Sequence, residues 1–323
     1  MYYSVKTNPC PGLLKILCSI GLNFHVCSHE ELKALEKAGI GKERIMLYNP
    51  SFSQDDFLKL GKKGYPLFTI DSPSQYHELE KSGIEARILL RIRGFTKPRG
   101  SPFHPAGLGM STSESEKLIL GNLKNRNQIS IIGLHMHLAS QNNDLYSWKR
   151  NIGDFADFFS MLEKKGFKPL VADIGGGFPV DYGRRTLSIK KIADALKPSL
   201  EKIRSLGAGL FIEPGRIIAA PAGFLSTSVA LCNGSTVMVN ASVYSSAIDT
   251  LLGIELPIMA PIAAKSGKKY MIRGKSPCSL DVFSHARLIN PKKGDRIIFR
   301  NAGAYTYSSD FMGYKKPKII FIK

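Results

Sequence analysis

Leu170-Val171-Ala172-Asp173-Ile174-Gly175-Gly176-Gly177-Phe178-Pro179 is the stretch on which the fold assignment turns. Its first half is a continuous apolar run, the pattern of a parallel strand buried on both faces. Its second half is a glycine triplet. Without Cβ atoms, three successive backbone N–H groups can approach an anion closely, which points to a phosphate cradle; a tight turn is the plainer alternative. Neither GxGxxG nor GxxxxGK[ST] is present, so no dinucleotide or P-loop fingerprint applies.

The same apolar texture recurs at 2–6, 23–27, 44–48, 66–70, 86–92, 130–137 and 209–213, which with 169–174 makes eight strands. Helical patterns fall between them at 29–38, 53–63, 73–82, 113–124, 143–166 and 187–206. Ser28 reads as an N-cap, Glu31 stands at the capping-box position and Gly39 stops the helix. Polar residues sit at the C-terminal ends of many of these strands: Lys6, Ser28, Asn49, Asp71, Arg91, His137, Gly175 to Gly177, and Glu213 with Arg216. A closed barrel brings all those ends to one mouth, whereas a doubly wound open sheet leaves most of them far from its switch point. The expected fold is therefore α/β, a (β/α)8 TIM-type barrel over 1–220 followed by a smaller antiparallel β domain over 221–323. In the latter, 224–231, 235–240, 268–273, 295–300 and 317–322 read as strands.

Composition describes an ordinary globular chain of 323 residues, 43% hydrophobic and 22% charged. No apolar run is long enough to cross a bilayer, and no secretory signal is expected. The five cysteines are scattered without metal-ligand spacing, which suits a reduced cytoplasm and no metal site. The net charge of +19 raises nucleic-acid binding as a possibility. The lysines come in isolated pairs without interleaved aromatic residues, so a solvated basic surface is preferred and neither a nucleic-acid nor a membrane partner is expected.

Several of these polar groups suit one ligand. Lys6, closing its strand near a crowded mouth, could form a Schiff base with an aldehyde cofactor, or be a surface lysine near the terminus. In Glu213-Pro214-Gly215-Arg216 a carboxylate can pair with a protonated pyridine nitrogen and an arginine can bond phosphate, although a structural Glu–Arg pair is also common. His137 could stack on an aromatic cofactor, while His135 reads as a satisfied core histidine. An amine, a glycine loop and a carboxylate with an arginine together point to pyridoxal 5'-phosphate.

In this order, these residues resemble the fold-type III pyridoxal phosphate decarboxylases, the ornithine, lysine and arginine, and diaminopimelate decarboxylase family with its alanine-racemase-like barrel. The resemblance covers nearly the whole chain. Tyr3-Ser4-Val5-Lys6-Thr7-Asn8-Pro9 is similar to the cofactor-lysine motif, which implies that Lys6 holds the cofactor. By the same resemblance His137 stacks on the ring, Glu213 meets its nitrogen, and Ser140, Gly175, Gly176, Gly177, Gly215 and Arg216 surround the phosphate. Arg91 matches the family's arginine on the fifth strand. Gly303-Ala304-Tyr305-Thr306 implies that Tyr305 reaches the phosphate, and Phe311-Met312-Gly313-Tyr314 is similar to another family segment with Met312 in place of asparagine. The family's racemases carry arginine opposite the ring nitrogen, so Glu213 argues for decarboxylation.

Three features depart from the family pattern. In Gly274-Lys275-Ser276-Pro277-Cys278-Ser279-Leu280-Asp281 the cysteine expected to protonate the carbanion stands one place late, at Cys278, while Asp281 keeps its register as a substrate-binding residue. Ala241 replaces an aspartate that contacts the substrate amine. Only five residues precede Lys6, where the family has a strand-bearing segment that completes the β domain; its absence would expose a sheet edge. The resemblance implies a cytoplasmic decarboxylase of a basic amino acid, linked to polyamine biosynthesis, working as a homodimer with shared active sites. The alternative is a weak or inactive homologue that binds the cofactor or a protein partner.

Overall fold

Eight short parallel strands, β1 (Tyr2–Ser4), β2 (Asn23–Val26), β3 (Ile45–Leu47), β4 (Leu67–Ile70), β5 (Ala86–Ile92), β6 (Ile129–Met136), β7 (Val171–Asp173) and β8 (Gly209–Phe211), pair in simple chain order. The structure is a computed structural model describing residues 1–65, 67–99, 107–125, 128–306 and 313–322. Tyr2 N donates to Ile212 O at 2.9 Å and Ser4 N to Pro214 O at 3.3 Å, so the chain just past β8 closes the sheet onto β1. Every strand edge is thereby paired, as a barrel requires.

The helices of this unit are α1 (Pro11–Ser19), α2 (His29–Lys37), α3 (Gln54–Lys62), α4 (Pro73–Ser82), α5 (Thr112–Asn125), α6 (Leu145–Lys164) and α7 (Ile189–Ser205). Their ends follow from local chemistry. Ser28 Oγ accepts from Glu31 N at the start of α2, and the Glu31 carboxylate reaches back to Cys27 N. Ser53 and Asp56 form a full capping box on α3. Gly83 ends α4 at φ 67°, a left-handed turn that glycine adopts without strain. Helix α1 has no counterpart in the sequence reading, because Pro9, Pro11 and Gly12 look like a turn; Pro11 is tolerated since it opens the helix.

The barrel is filled by side chains. Tyr2, Met46, Leu89 and Val171, one from each odd strand, pack together with Ile132 as an apolar layer. The even strands contribute His25, Thr69 and His135, all buried and polar. Polarity inside a packed barrel marks where packing gives way to chemistry.

The chain divides into two compact units. The barrel unit is Met1–Val5, Pro11–Pro179 and Thr186–Pro214; the second unit is Lys6–Cys10, Val180–Arg185 and Gly215–Lys323. The chain therefore passes between units directly before Lys6 and again between Pro214 and Gly215. Helix α8 (Arg216–Ala219) opens the long part of the second unit. Its six strands are β9 (Leu225–Asn233), β10 (Thr236–Val239), β11 (Ile258–Met259), β12 (Ala263–Arg273), β13 (Val282–Leu288) and β14 (Arg296–Phe299), in the order β11-β14-β9-β10-β12-β13. Pairing is antiparallel except between β10 and β12, which run parallel, so the sheet is mixed. Residues 317–322, read as a strand from sequence, belong to no strand among the described residues, and the apolar Ile320, Phe321 and Ile322 are exposed. Phe283 and Phe299 stack at 4.8 Å in the core of this sheet.

Gly133 on β6 shows how tightly the barrel wall is drawn. A Cβ there would lie 1.8 Å from Val171 O on β7. We expect Gly133→Ala to push β6 from β7 and to cost about 1–3 kcal/mol, read as a lower urea midpoint than wild type.

Candidate active site

Strand ends supply the functional groups of the barrel unit. β6 runs out before His137, β7 ends on Asp173 ahead of the glycine triplet, and Glu213 follows two residues after β8. These are C-terminal ends, the face on which barrels of this type place their chemistry.

Glu213 is buried between two imidazoles. Its Oε1 lies 3.6 Å from His25 Nε2 and its Oε2 lies 3.4 Å from His135 Nε2. Burial by itself would raise this carboxyl, but His25, then His135 and His137, outweigh it and hold the group below its usual range, ionised at neutral pH. Asp173 behaves oppositely: burial first, then the charge on Glu213, pushes it well above the ordinary carboxylate range. His135 is thus no satisfied core histidine. It faces two carboxylates, and one ligand-capable atom each from His135, Asp173 and Glu213 lies within 4.8 Å of the others. Asp173 and Glu213 stand beside His135 although both are distant from it in the chain.

The glycine triplet is needed for packing as well. Cβ atoms at Gly175, Gly176 and Gly177 would lie 2.5 Å from Met136 O, 2.4 Å from Glu213 O and 2.1 Å from Ala139 O. Gly175 and Gly177 also adopt φ 67° and 101°. The backbone between β7 and α7 is therefore laid directly on the ends of β6 and β8. Gly175 N donates to Asp173 Oδ1 at 2.8 Å and Gly176 N to His137 Nδ1 at 3.3 Å. Asn142 N reaches Gly177 O at 2.9 Å, which draws the Ser140 loop to the same turn.

Arg91 is buried in a second network. Its Nη1 donates to the Tyr48 hydroxyl and lies 3.4 Å from Asp71 Oδ1, while the Tyr48 hydroxyl donates to the same oxygen at 2.6 Å. Gly109 N completes the other Asp71 oxygen at 3.0 Å. Burial pushes the Tyr48 hydroxyl well up, against the pull of Arg91, so it remains a neutral donor. Arg91 is thus committed to internal partners. Tyr48 was missed because an aromatic residue in an apolar strand reads as core.

In the second unit, Lys6 lies in a single 3-10 turn, Val5–Thr7, rather than in a strand, and it is exposed rather than enclosed. Strand β1 stops at Ser4 because the chain leaves the barrel there. The turn is tied to the Gly303-Ala304-Tyr305 segment: Tyr305 N donates to Thr7 O and Asn8 Nδ2 to Gly303 O, each at 2.8 Å. Arg216 is buried, lies 4.7 Å from the Tyr305 ring centre and pairs with Asp249, and its Nη1 also donates to the Tyr182 hydroxyl at 3.4 Å. Two motifs nearly three hundred residues apart in the chain thus share one neighbourhood with Arg216. Asp249 and Tyr182 carry no local sequence signal. Gly313 and Tyr314 are described, whereas Phe311 and Met312 lie outside the described residues.

Asp281 is fully buried, and both of its oxygens accept backbone amides, Oδ1 from Val243 N and Oδ2 from Ser276 N, each at 2.9 Å. It pins the loop that carries Cys278. The Cys278 thiol is half-buried and accepts from the Tyr244 hydroxyl, with O to S 2.8 Å. That donor, then the Leu280 amide, holds the thiol below its usual range, while the same bond pushes Tyr244 up to about 12.

Glu213 Oε1 accepts no hydrogen bond among the described residues although it is buried and ionised. Buried acceptors are rarely left open, and the N–H of a protonated pyridine is a donor of the right kind. The residues present fit pyridoxal phosphate.

Comparison with known proteins agrees. The family described as pyridoxal-dependent decarboxylase, pyridoxal binding domain, matches residues 1–220. Ornithine decarboxylase of Rattus norvegicus is 27% identical over 349 residues, covering 99% of this chain and 75% of that protein. Diaminopimelate decarboxylase of Aquifex aeolicus is 29% identical over 238 residues, 70% of this chain and 56% of that protein. The crystal structure of diaminopimelate decarboxylase from Helicobacter pylori complexed with L-lysine superposes with a TM-score of 0.87 at 24% identity, over 96% of this chain and 81% of that one. The chain belongs to the pyridoxal-dependent decarboxylase family. It is an amino-acid decarboxylase whose cofactor is pyridoxal phosphate. No helix among the described residues is long and apolar enough to cross a membrane.

The Tyr244 to Cys278 bond has a pH signature. A donor that stabilises the thiolate lowers the thiol pKa, so its loss raises it. We expect Tyr244→Phe to move the pH midpoint of Cys278 alkylation upward and to slow labelling at neutral pH several-fold, followed by peptide mass spectrometry against Cys278→Ser.

Proposed function

We propose that this enzyme removes the α-carboxylate of a basic amino acid, with ornithine, lysine, arginine and diaminopimelate as the candidate substrates. The observation that carries the reading is the buried, ionised Glu213 with one oxygen open to a donor. When bound, pyridoxal phosphate supplies an electron sink for the bonding pair that carbon dioxide leaves behind. Glu213 accepts the ring-nitrogen hydrogen and keeps that nitrogen protonated. Its own charge is steadied by His25 and His135, so no reorganisation is needed as charge moves.

Lys6 would hold the cofactor aldehyde through its Nζ amine, and its exposure in a short turn would leave that amine accessible to the substrate. His137, oriented by the Gly176 amide on its Nδ1, stacks on the ring. Ser140, the Gly175-Gly176-Gly177 turn with its Gly177 amide, Gly215, Arg216 and Tyr305 hold the phosphate. Arg91 acts on this group through its bonds to Tyr48 and Asp71, which stiffen the barrel interior. Cys278 moves a proton from Sγ to the carbon that loses its carboxylate. The enzyme works as a homodimer in the cytoplasm, and a decarboxylated basic amino acid suits polyamine biosynthesis.

Substrate choice is the finer question. Ala241 stands where the family carries a carboxylate for the distal amine, and Asp281 is buried with both oxygens bonded to backbone amides. An unpaired cationic group would cost about 1–3 kcal/mol, so a substrate whose far end is not a bare amine is favoured over ornithine.

The protein purified with pyridoxal phosphate is expected to show the visible absorption of lysine-bound cofactor, and Lys6→Ala to abolish it. Carbon dioxide release on the four amino acids then ranks the substrates. Absorption without release on any of them would move the reading to an inactive homologue, and no absorption would refute the cofactor assignment. Glu213→Gln keeps the shape and removes the charge. We expect kcat/KM to fall roughly 10- to 100-fold, the worth of one charge-assisted hydrogen bond.

A further inference from the structure

β7 and β8 run side by side, with Asp173 paired across from Phe211 two residues before Glu213. Asp173 is 0% exposed and Glu213 is 7% exposed, so neither charge is shielded by water. One oxygen of each lies within 4.8 Å of the other and of a His135 ring nitrogen. Two carboxylates this close in a dry interior do not both ionise; the low-energy arrangement holds one proton for the pair.

The surroundings decide which carboxyl carries that proton. Glu213 has the His25 and His135 rings at 3.6 and 3.4 Å, with His137 beyond them. Asp173 has only the Gly175 amide on Oδ1, while its Oδ2 makes no hydrogen bond among the described residues. The Tyr2 hydroxyl on β1 also acts on Asp173. The imidazoles thus favour charge on Glu213 and leave the proton to Asp173, whose otherwise orphaned Oδ2 becomes a hydroxyl that can donate.

We propose that Asp173 is a positioning residue that donates its carboxyl hydrogen to Glu213 and so fixes that carboxylate for the cofactor ring nitrogen. The proposal rests on the role given to Glu213 under the proposed function. Glu213 is then gripped from three sides, by His25 of β2, His135 of β6 and Asp173 of β7, with its remaining lone pairs directed to the ligand. The glycine after Ile174 belongs to the same device, because the Gly175 amide orients Asp173 from its far oxygen.

Infrared spectroscopy of the full chain, without and with pyridoxal phosphate, reads the shared proton directly. We expect a protonated-carboxyl carbonyl band at neutral pH that shifts on 13C-aspartate labelling and disappears in Asp173→Asn. Its absence from the wild-type protein would overturn the proposal, and so would a stoichiometric divalent metal on the purified protein, which would need both carboxylates ionised. Neither measurement depends on a variant that folds or on cofactor binding, so failure of the cofactor reading would be seen separately, as wild-type protein that does not bind pyridoxal phosphate. Cofactor affinity supplies the second arm. Asn at this position keeps a donor and carries no charge, so Asp173→Asn is expected to hold the dissociation constant within about threefold, whereas Asp173→Ala weakens it about tenfold, the value of one buried hydrogen bond. Equal weakening in the two variants would show that the charge of Asp173 matters and its hydrogen does not.

Discussion

A single buried negative charge organises the barrel mouth. An ionised carboxylate out of water is costly unless its surroundings replace the lost solvation. At Glu213 that replacement comes from three strands, as His25 and His135 approach its two oxygens and Asp173 stays neutral beside it. Removing any of these leaves the charge under-supported, which is why the cluster is polar inside a packed barrel.

Holding that carboxylate at the end of β8 requires the neighbouring backbone to come unusually close. Gly176 lies against the Glu213 carbonyl itself, and Gly175 and Gly177 lie against the chain leaving β6. The triplet therefore serves two ends at once. It removes Cβ atoms that would force the strand ends apart, and it turns successive amides toward His137 and Asp173. A ligand-only account of the triplet is incomplete, and so is a turn-only account.

Much of the site could be read from the chain. Strand ends rich in polar residues marked the barrel, and Lys6, His137, the glycine triplet, Glu213 and Arg216 carried recognisable residue types at those ends. His25, Asp173, Tyr48 and Asp249 could not be read in this way. Each is an unremarkable residue locally, and each matters only through a partner more than twenty positions away. Asp281 shows the converse: its register suggests a substrate ligand, while the fold also gives it a structural task, accepting two backbone amides of the Cys278 loop. The parallel pairing of β10 with β12 was also invisible, since short alternating strands look the same in either direction.

Periodicity and end-of-strand polarity in the chain alone set the number of barrel strands, their order and the cofactor class, because those depend on patterns a few residues long. Tertiary structure decided the charge states of Glu213 and Asp173, the commitment of Arg91 and Asp281 to internal partners, and the transfer of Lys6 out of the first strand into an exposed turn. Those depend on desolvation and on distances between groups far apart in sequence, which fall off too steeply to be set by anything but the folded geometry.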